Sequence, residues 1–156
     1  MTKHTRRVLE LGVGLALALA IVLTVGADWH QRTAAQVRAD TLRLHILANS
    51  DTLDDQLLKL QVRDAVLAAL PPAVTEAATP DEAAAALQYA LPALQQAADT
   101  ALHRAHSPQT ARLRLEQWDF AARDYGSFTL PGGAYTALRI ELGEARGRNW
   151  FCVLYP

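Results

Sequence analysis

His45, Ser50, Asp51 and Asp54 lie within ten residues of one another and are the types that a nucleophile–base pair or a metal site would use. A serine attacks when a base takes its proton and a third group orients that base. The spacing argues against a simple version. His45 falls on a predicted strand and Ser50 in the turn after it, with no glycines framing the serine as in a nucleophile elbow. One histidine beside several acids fits helix capping at least as well as metal ligation. A single cysteine, Cys152, excludes an intrachain disulfide and a cysteine-rich zinc site. No catalytic residue, metal ligand or cofactor is therefore assigned. A secreted or membrane-anchored hydrolase using the His45/Ser50/Asp51 region stands as the alternative.

The element that must position these residues is the stretch from Thr41 to Leu70. Leu42, Leu44 and Ile46 alternate with Arg43, His45 and Leu47, the period of a strand with one apolar face. Ala48-Asn49-Ser50-Asp51 breaks the pattern with small and turn-forming side chains. Asp51 or Thr52 can cap the following helix, and Asp54 and Asp55 complement its N-terminal dipole. Leu58, Val62, Ala65, Val66 and Ala69 form its apolar stripe, which leaves Gln56, Lys59 and Arg63 for water. Pro71-Pro72 ends it.

Ala73–Ala78 reads as a connector. Thr79-Pro80-Asp81-Glu82 is a capped helix start, and Leu87, Leu91, Leu94, Ala98 and Leu102 share one side of the helix that follows. Pro92 predicts a kink, or two helices meeting at Leu91–Pro92. From Thr110 the period becomes two. It slips near Gln117-Trp118, which suggests a bulge or strand end. Thr136–Leu142 and Trp150–Tyr155 are strands, and the glycine-bearing turn Gly143–Asn149 reads as joining them in a hairpin. The order predicts an α+β fold, an antiparallel sheet with covering helices, with Leu42–Leu47 and Leu138–Leu142 in one sheet.

The 156 residues are 51% hydrophobic, enough for a core, and carry a net charge of −1. A protein held to nucleic acid by phosphate attraction would be clearly basic, so no nucleic-acid partner is expected. Lys3, Arg6 and Arg7 precede Leu11–Ala27, 17 residues without a charge. That run covers ~25 Å of helix against a hydrocarbon core of ~30 Å. Val25-Gly26-Ala27 also offers small residues to a signal peptidase. Two readings compete, a cleaved export signal and an uncleaved anchor, and both place the remainder outside the cytoplasm. The expected organisation is 1–27 signal or anchor, 28–40 linker or loose helical stalk, and 41–156 the α+β domain. Trp29 and His30 suit either a membrane interface or a plain loop.

HILANSD with DDQLLKLQVRDAV, and YGSFTLPGGAYTALRIELGEARGRNWFCVLYP, resemble the stage II sporulation protein R family. The blocks cover Leu42–Leu67 and Tyr125–Pro156; between them only the order of helices and a strand agrees. The family often has His before Asn-Trp, where Arg148 stands, and a second Trp where Phe151 stands. It usually continues to a second cysteine past the point where this sequence stops, so no intramolecular pairing of Cys152 is expected. The resemblance implies an exported signal of endospore-forming bacteria, made in the forespore and acting in the intermembrane space. Its partner would be a membrane-embedded aspartic protease that processes a sigma-factor precursor.

The partner-binding surface is expected at the turn Asn49, Ser50 and Asp51 and at Gly143–Trp150, including Glu144, Gly147 and Asn149. Arg63, Arg139 and Glu141 are added as charges near apolar faces. They read either as surface ion pairs or as a partly buried network fixing the turn against the hairpin. An exposed aromatic among Trp150, Phe151 and Tyr155, rimmed by Arg146 and Arg148, would be an interface anchor.

Overall fold

A computed structural model describes residues 3–126 and 128–156, with the side chains of residues 3–6, 8–10, 28 and 30 outside the described set. The expectation for the His30 ring thus lies outside it. The chain divides into two compact units, Met1–Gln36 and Val37–Pro156.

The first unit is helical, within α1 (Lys3–Asp40). From Leu11 onward this helix is long and apolar enough to cross a membrane, with a mean hydropathy of 2.1 over its apolar window. Leu11, Val13, Leu15, Leu17, Ile21, Leu23 and Val25 are all exposed, so apolar side chains ring the helix instead of forming one stripe. A helix apolar all round needs lipid or a protein core about it. Residues 28–40, read as a linker or stalk, continue α1, and the second unit begins on its last turn.

The second unit is α+β. After α1 come β1 (Leu42–Leu47), α2 (Leu53–Ala68), α3 (Pro72–Thr75) and α4 (Pro80–Arg104). Then follow β2 (Ala111–Phe120), β3 (Arg123–Asp124), β4 (Thr129–Leu130), β5 (Gly133–Leu142) and β6 (Asn149–Tyr155). The main sheet has the order β2-β5-β1-β6. It is antiparallel-rich, with one parallel pair, β1 with β5. β1 and β5 do share the sheet, with Leu44 opposite Leu138 and Ile46 opposite Ile140.

Two expectations are corrected. β5 and β6 are not a hairpin, because β1 lies between them and bonds to both. Nearness in sequence suggested direct pairing, but the apolar β1 takes the central slot, and its parallel partner is reached through the long crossover from α2 to β4. Nor does β2 bulge at Gln117-Trp118: its register runs unbroken from Ala111 opposite Leu142 to Phe120 opposite Gly133. The alternation fails there because Gln117 and Asp119 are exposed beyond the helical cover, while Phe120 is buried on the other face.

One face of the sheet presents Leu42, Leu44, Ile46, Leu138, Ile140 and Leu142 to α2, α3 and α4. Leu58, Val62 and Val66 of α2 and Leu87, Leu94, Ala98 and Leu102 of α4 complete this core. Ala69 of the expected stripe is exposed, whereas Lys59, expected in water, is buried. The Ala73–Ala78 connector begins with the single turn of α3. Thr52, not Asp51, caps α2 by accepting from the Asp55 amide. Thr79 and Glu82 form a reciprocal cap on α4: Thr79 Oγ1 accepts from the Glu82 amide at 3.2 Å, and Glu82 Oε2 accepts from the Ala78 amide at 3.1 Å.

α4 is one helix through Pro92, not two. Pro92 has no amide hydrogen for the Gln88 carbonyl, and its side chain is exposed, so it contributes no packing in return. Pro92→Ala should therefore raise the unfolding free energy, by up to ~3 kcal/mol, in urea titrations followed by circular dichroism.

Candidate functional site

Because β1 ends between β5 and β6, the chain joining those two strands must pass over its C-terminal end. It is fastened there by main-chain bonds. The Gly147 amide donates to the Ala48 carbonyl at 2.8 Å, and the Arg146 amide to the Asn49 carbonyl at 3.1 Å. Side chains of the turn add two more: Asn49 Oδ1 accepts from the Glu144 amide at 2.9 Å, and Asp51 Oδ1 from the Arg148 amide at 2.6 Å. The two segments that the sequence singled out, Asn49–Asp51 and Gly143–Trp150, thus form one corner of the molecule.

The glycines make the approach close enough. A Cβ on Gly147 would overlap the Ser50 carbonyl, and one on Gly143 would overlap the Asn49 amide group. Gly143 also has φ of +56°, which disfavours other side chains.

Beneath the corner lies a polar network. The Asp55 carboxylate accepts from the Ser50 hydroxyl, from Asn49 Nδ2 at 2.9 Å and from Gln109 Nε2. Bonds from Ser50 and Asn49, with Gln109 and Thr52 behind them, hold its carboxyl below the ordinary range despite burial. Lys59 Nζ, buried, donates to the Arg148 carbonyl at 2.9 Å and to Gln56 Oε1 at 2.7 Å. Burial lowers its pKa, and Asp51 acts in the opposite sense. Gln56 Nε2 closes the set on the Ser50 carbonyl at 2.8 Å. A network does fix the turn against the β5–β6 connection, but its members are Asp55, Lys59, Gln56 and Gln109 rather than Arg63, Arg139 and Glu141. The apolar stripe concealed this, since Asp55 and Lys59 flank Leu58 on α2.

The outer surface of the corner carries Trp150, 40% exposed, with the Arg63 guanidinium 4.6 Å from its ring centre. Arg63 also pairs with Asp64 at 2.7 Å. The exposed side chains of Arg146 and Glu144 meet at 3.1 Å, and those of Arg148 and Asp51 at 4.0 Å. Pairs this exposed contribute little to stability. Arg139 and Glu141 lie elsewhere, on the sheet face away from the helices. There Arg139 pairs with Glu141 at 2.6 Å and Glu116 at 3.1 Å, over the Trp118 ring at 3.7 Å.

His45 is on that second face as well. It is 2% exposed and stacks on Phe151 at 4.6 Å between ring centres, with Phe120 and Trp118 at 5.6 and 6.0 Å. Neither ring nitrogen has a hydrogen-bond partner among the described residues. Burial, then the charges of Arg139 and Arg43, lowers its pKa to about 4. Ser50 Oγ is engaged with Asp55 and with Thr52, and Asp51 with the Arg148 amide. The hydrolase alternative needs His45 bonded to Ser50, and the two side chains are committed to different surroundings. Among the described residues no group of three or more His, Cys, Asp or Glu side chains gathers as metal ligands would. Cys152 is part-buried, and burial raises its thiol pKa.

The family model of stage II sporulation protein R matches residues 38–156, which takes in the whole sheet, α2 to α4 and the corner. The chain belongs to the stage II sporulation protein R family. It is 35% identical over 115 residues to stage II sporulation protein R of Bacillus subtilis (strain 168), covering 74% of this chain and 51% of that relative. The chain thus spans about half the length of the curated relative it matches. No solved structure matches it. At position 148 the corner is held chiefly by main chain: the Arg148 amide and carbonyl bond Asp51 and Lys59 at 2.6 and 2.9 Å, while its exposed side chain comes no nearer than 4.0 Å to Asp51.

Two outcomes follow for a member of the stage II sporulation protein R family built this way. Gly147→Ala pushes a methyl group against the Ser50 backbone and should cost about 1–3 kcal/mol of unfolding free energy, measured by urea titration. His45 titrates near 6.5 when unfolded and about 4 when folded, so between these values the unfolded state binds the extra proton. Stability should therefore fall as pH drops through that window, by on the order of 1–3 kcal/mol. His45→Leu should flatten the fall in titrations at successive pH values.

Proposed function

We propose that this chain is a non-enzymatic, exported signal in endospore formation. It crosses the forespore membrane, remains anchored or is released into the intermembrane space, and binds the outward-facing part of a membrane-embedded aspartic protease. That protease then processes a sigma-factor precursor. The observation that carries the reading is the family match over residues 38–156, directly behind a helix apolar enough for export or anchoring.

The corner suits a binding role. Its backbone is tied down before any partner arrives, so little ordering entropy is lost on contact. It displays Trp150 with the Arg63 guanidinium over its ring, and the exposed Arg146 and Arg148 on the same connection, the residue types that most often anchor interfaces. We place the contact at Asn49, Ser50, Asp51, Gly143, Glu144, Gly147, Asn149 and Trp150, with Arg63 as support. Binding activates only if the active protease conformation is held more tightly than the inactive one, with ~1.4 kcal/mol for each tenfold shift. Bringing two protease copies together is one way to meet that condition.

The test is reconstitution in a non-sporulating host that expresses the protease and its sigma-factor precursor. Precursor cleavage should require this chain and should require its export. Trp150→Ala should reduce cleavage while the purified protein still unfolds cooperatively. Equal cleavage without the chain, or with a form lacking the Leu11–Ala27 segment, would remove the proposal.

A further inference from the structure

The face of the sheet away from the helices is not a plain solvent face. Arg43 and His45, successive outward residues of β1, are 1% and 2% exposed. The Arg43 guanidinium lies 4.0 Å from the Phe120 ring centre, 5.0 Å from Tyr135 and 5.7 Å from Phe151. Among the described residues its Nη2 donates one long hydrogen bond, to the Tyr125 hydroxyl at 3.4 Å, while Nε and Nη1 find no acceptor. A buried guanidinium is costly unless anionic or hydrogen-bonding groups meet it. Cation–π contact with aromatic faces offsets only part of that cost.

Both residues line a cavity of about 430 Å³, within the range of small-molecule sites. Trp118, Phe120 and Phe151 supply flat apolar walls, and Arg123 adds a second guanidinium, 5.6 Å from the Phe151 ring centre. Asp119 is the one carboxylate among the lining residues.

We propose that this cavity binds a small planar organic carboxylate, with the carboxylate meeting Arg43 and the flat body lying among Phe120, Phe151 and Trp118. Nε and Nη1 are themselves buried beneath the rings, so the covering side chains must part for a carboxylate to reach the guanidinium, whose planar fork matches its two oxygens. The guanidiniums of Arg43 and Arg123 set against the Asp119 carboxylate leave the lining one net positive charge, which favours a monoanion over a phosphate dianion. Aromatic walls favour a flat body, which can stack. The inference does not depend on the protease-activating role: it concerns the opposite side of β1 from the helical core and stands on the cavity and its unpaired nitrogens.

Benzoate is the simplest probe and benzamide its neutral isostere. Equilibrium dialysis of the full chain in lipid nanodiscs, with empty nanodiscs as blank, should retain benzoate at about one per chain. Benzamide should bind about tenfold more weakly or worse, because a charge-assisted bond is lost. Arg43→Gln should abolish retention. Since a core change can also unfold the domain, Ala121→Trp and Ala122→Trp are paired with it; both positions are exposed and line the cavity. At least one of these should block benzoate while leaving the unfolding midpoint unchanged. Benzoate retention no greater than the blank, equal retention of benzamide, or undiminished binding in both wall variants would overturn the proposal.

Discussion

Strand β1 enters the sheet first and is clasped on both sides by the last two strands, so the segment between those strands has to climb over the end of β1. Three main-chain bonds make that crossing: the Gly147 and Arg146 amides donate to the carbonyls of Ala48 and Asn49, and the Ala48 amide donates to the Arg148 carbonyl. The sheet order and the corner geometry hang on it. If the crossing loosened, β6 would lose its hold on the edge of β1, and Asn49–Asp51 would lose the partner that gives it shape. Glycine at 143 and 147 is the steric condition, and Asp55 and Lys59 are the polar supports beneath.

The same strand divides two environments. Toward the helices its side chains are Leu42, Leu44 and Ile46, and the fully buried packing is aliphatic, with Cys152 and Tyr155 at its margin. Toward the other side they are Arg43 and His45, covered by rings from β2, β5 and β6. A histidine kept uncharged by burial, and bonded at neither nitrogen by any described residue, is far from the arrangement a general base needs, where one nitrogen is oriented and the other faces a nucleophile. The polar residues most suggestive of chemistry in the sequence are instead spent on architecture: Ser50 on Asp55, and Asp51 on the Arg148 amide.

Much of this was readable from residue patterns, because the patterns report faces. Period two marked β1 and β5, the Leu87–Leu102 stripe marked the buried side of α4, and Thr79 with Glu82 marked its start. Patterns do not report pairing. Nothing local in Thr136–Tyr155 reveals that a strand ninety residues earlier intervenes, since β5 and β6 carry the same alternation either way. Nor does periodicity price a buried charge. Lys59 sits on the polar flank of α2, and the carbonyl of Arg148, 89 residues away, receives it inside together with Gln56 Oε1. Trp118 seemed out of phase because its face is covered by aromatic rings and Arg139, not by helices. The corner itself was legible because turn residues and glycines concentrate in two short stretches.

The central claim is that the chain acts by presenting this corner to a partner. Site-specific photo-cross-linking tests it most directly. A photoreactive residue would replace Glu144 or Arg146 in turn, both exposed, or Tyr89, which is 90% exposed on α4. Each form would be co-expressed, exported, with the candidate protease. The account predicts adducts with the protease from positions 144 and 146 and none from position 89. Adducts from position 89 alone, or none from any position while precursor cleavage proceeds, would contradict it.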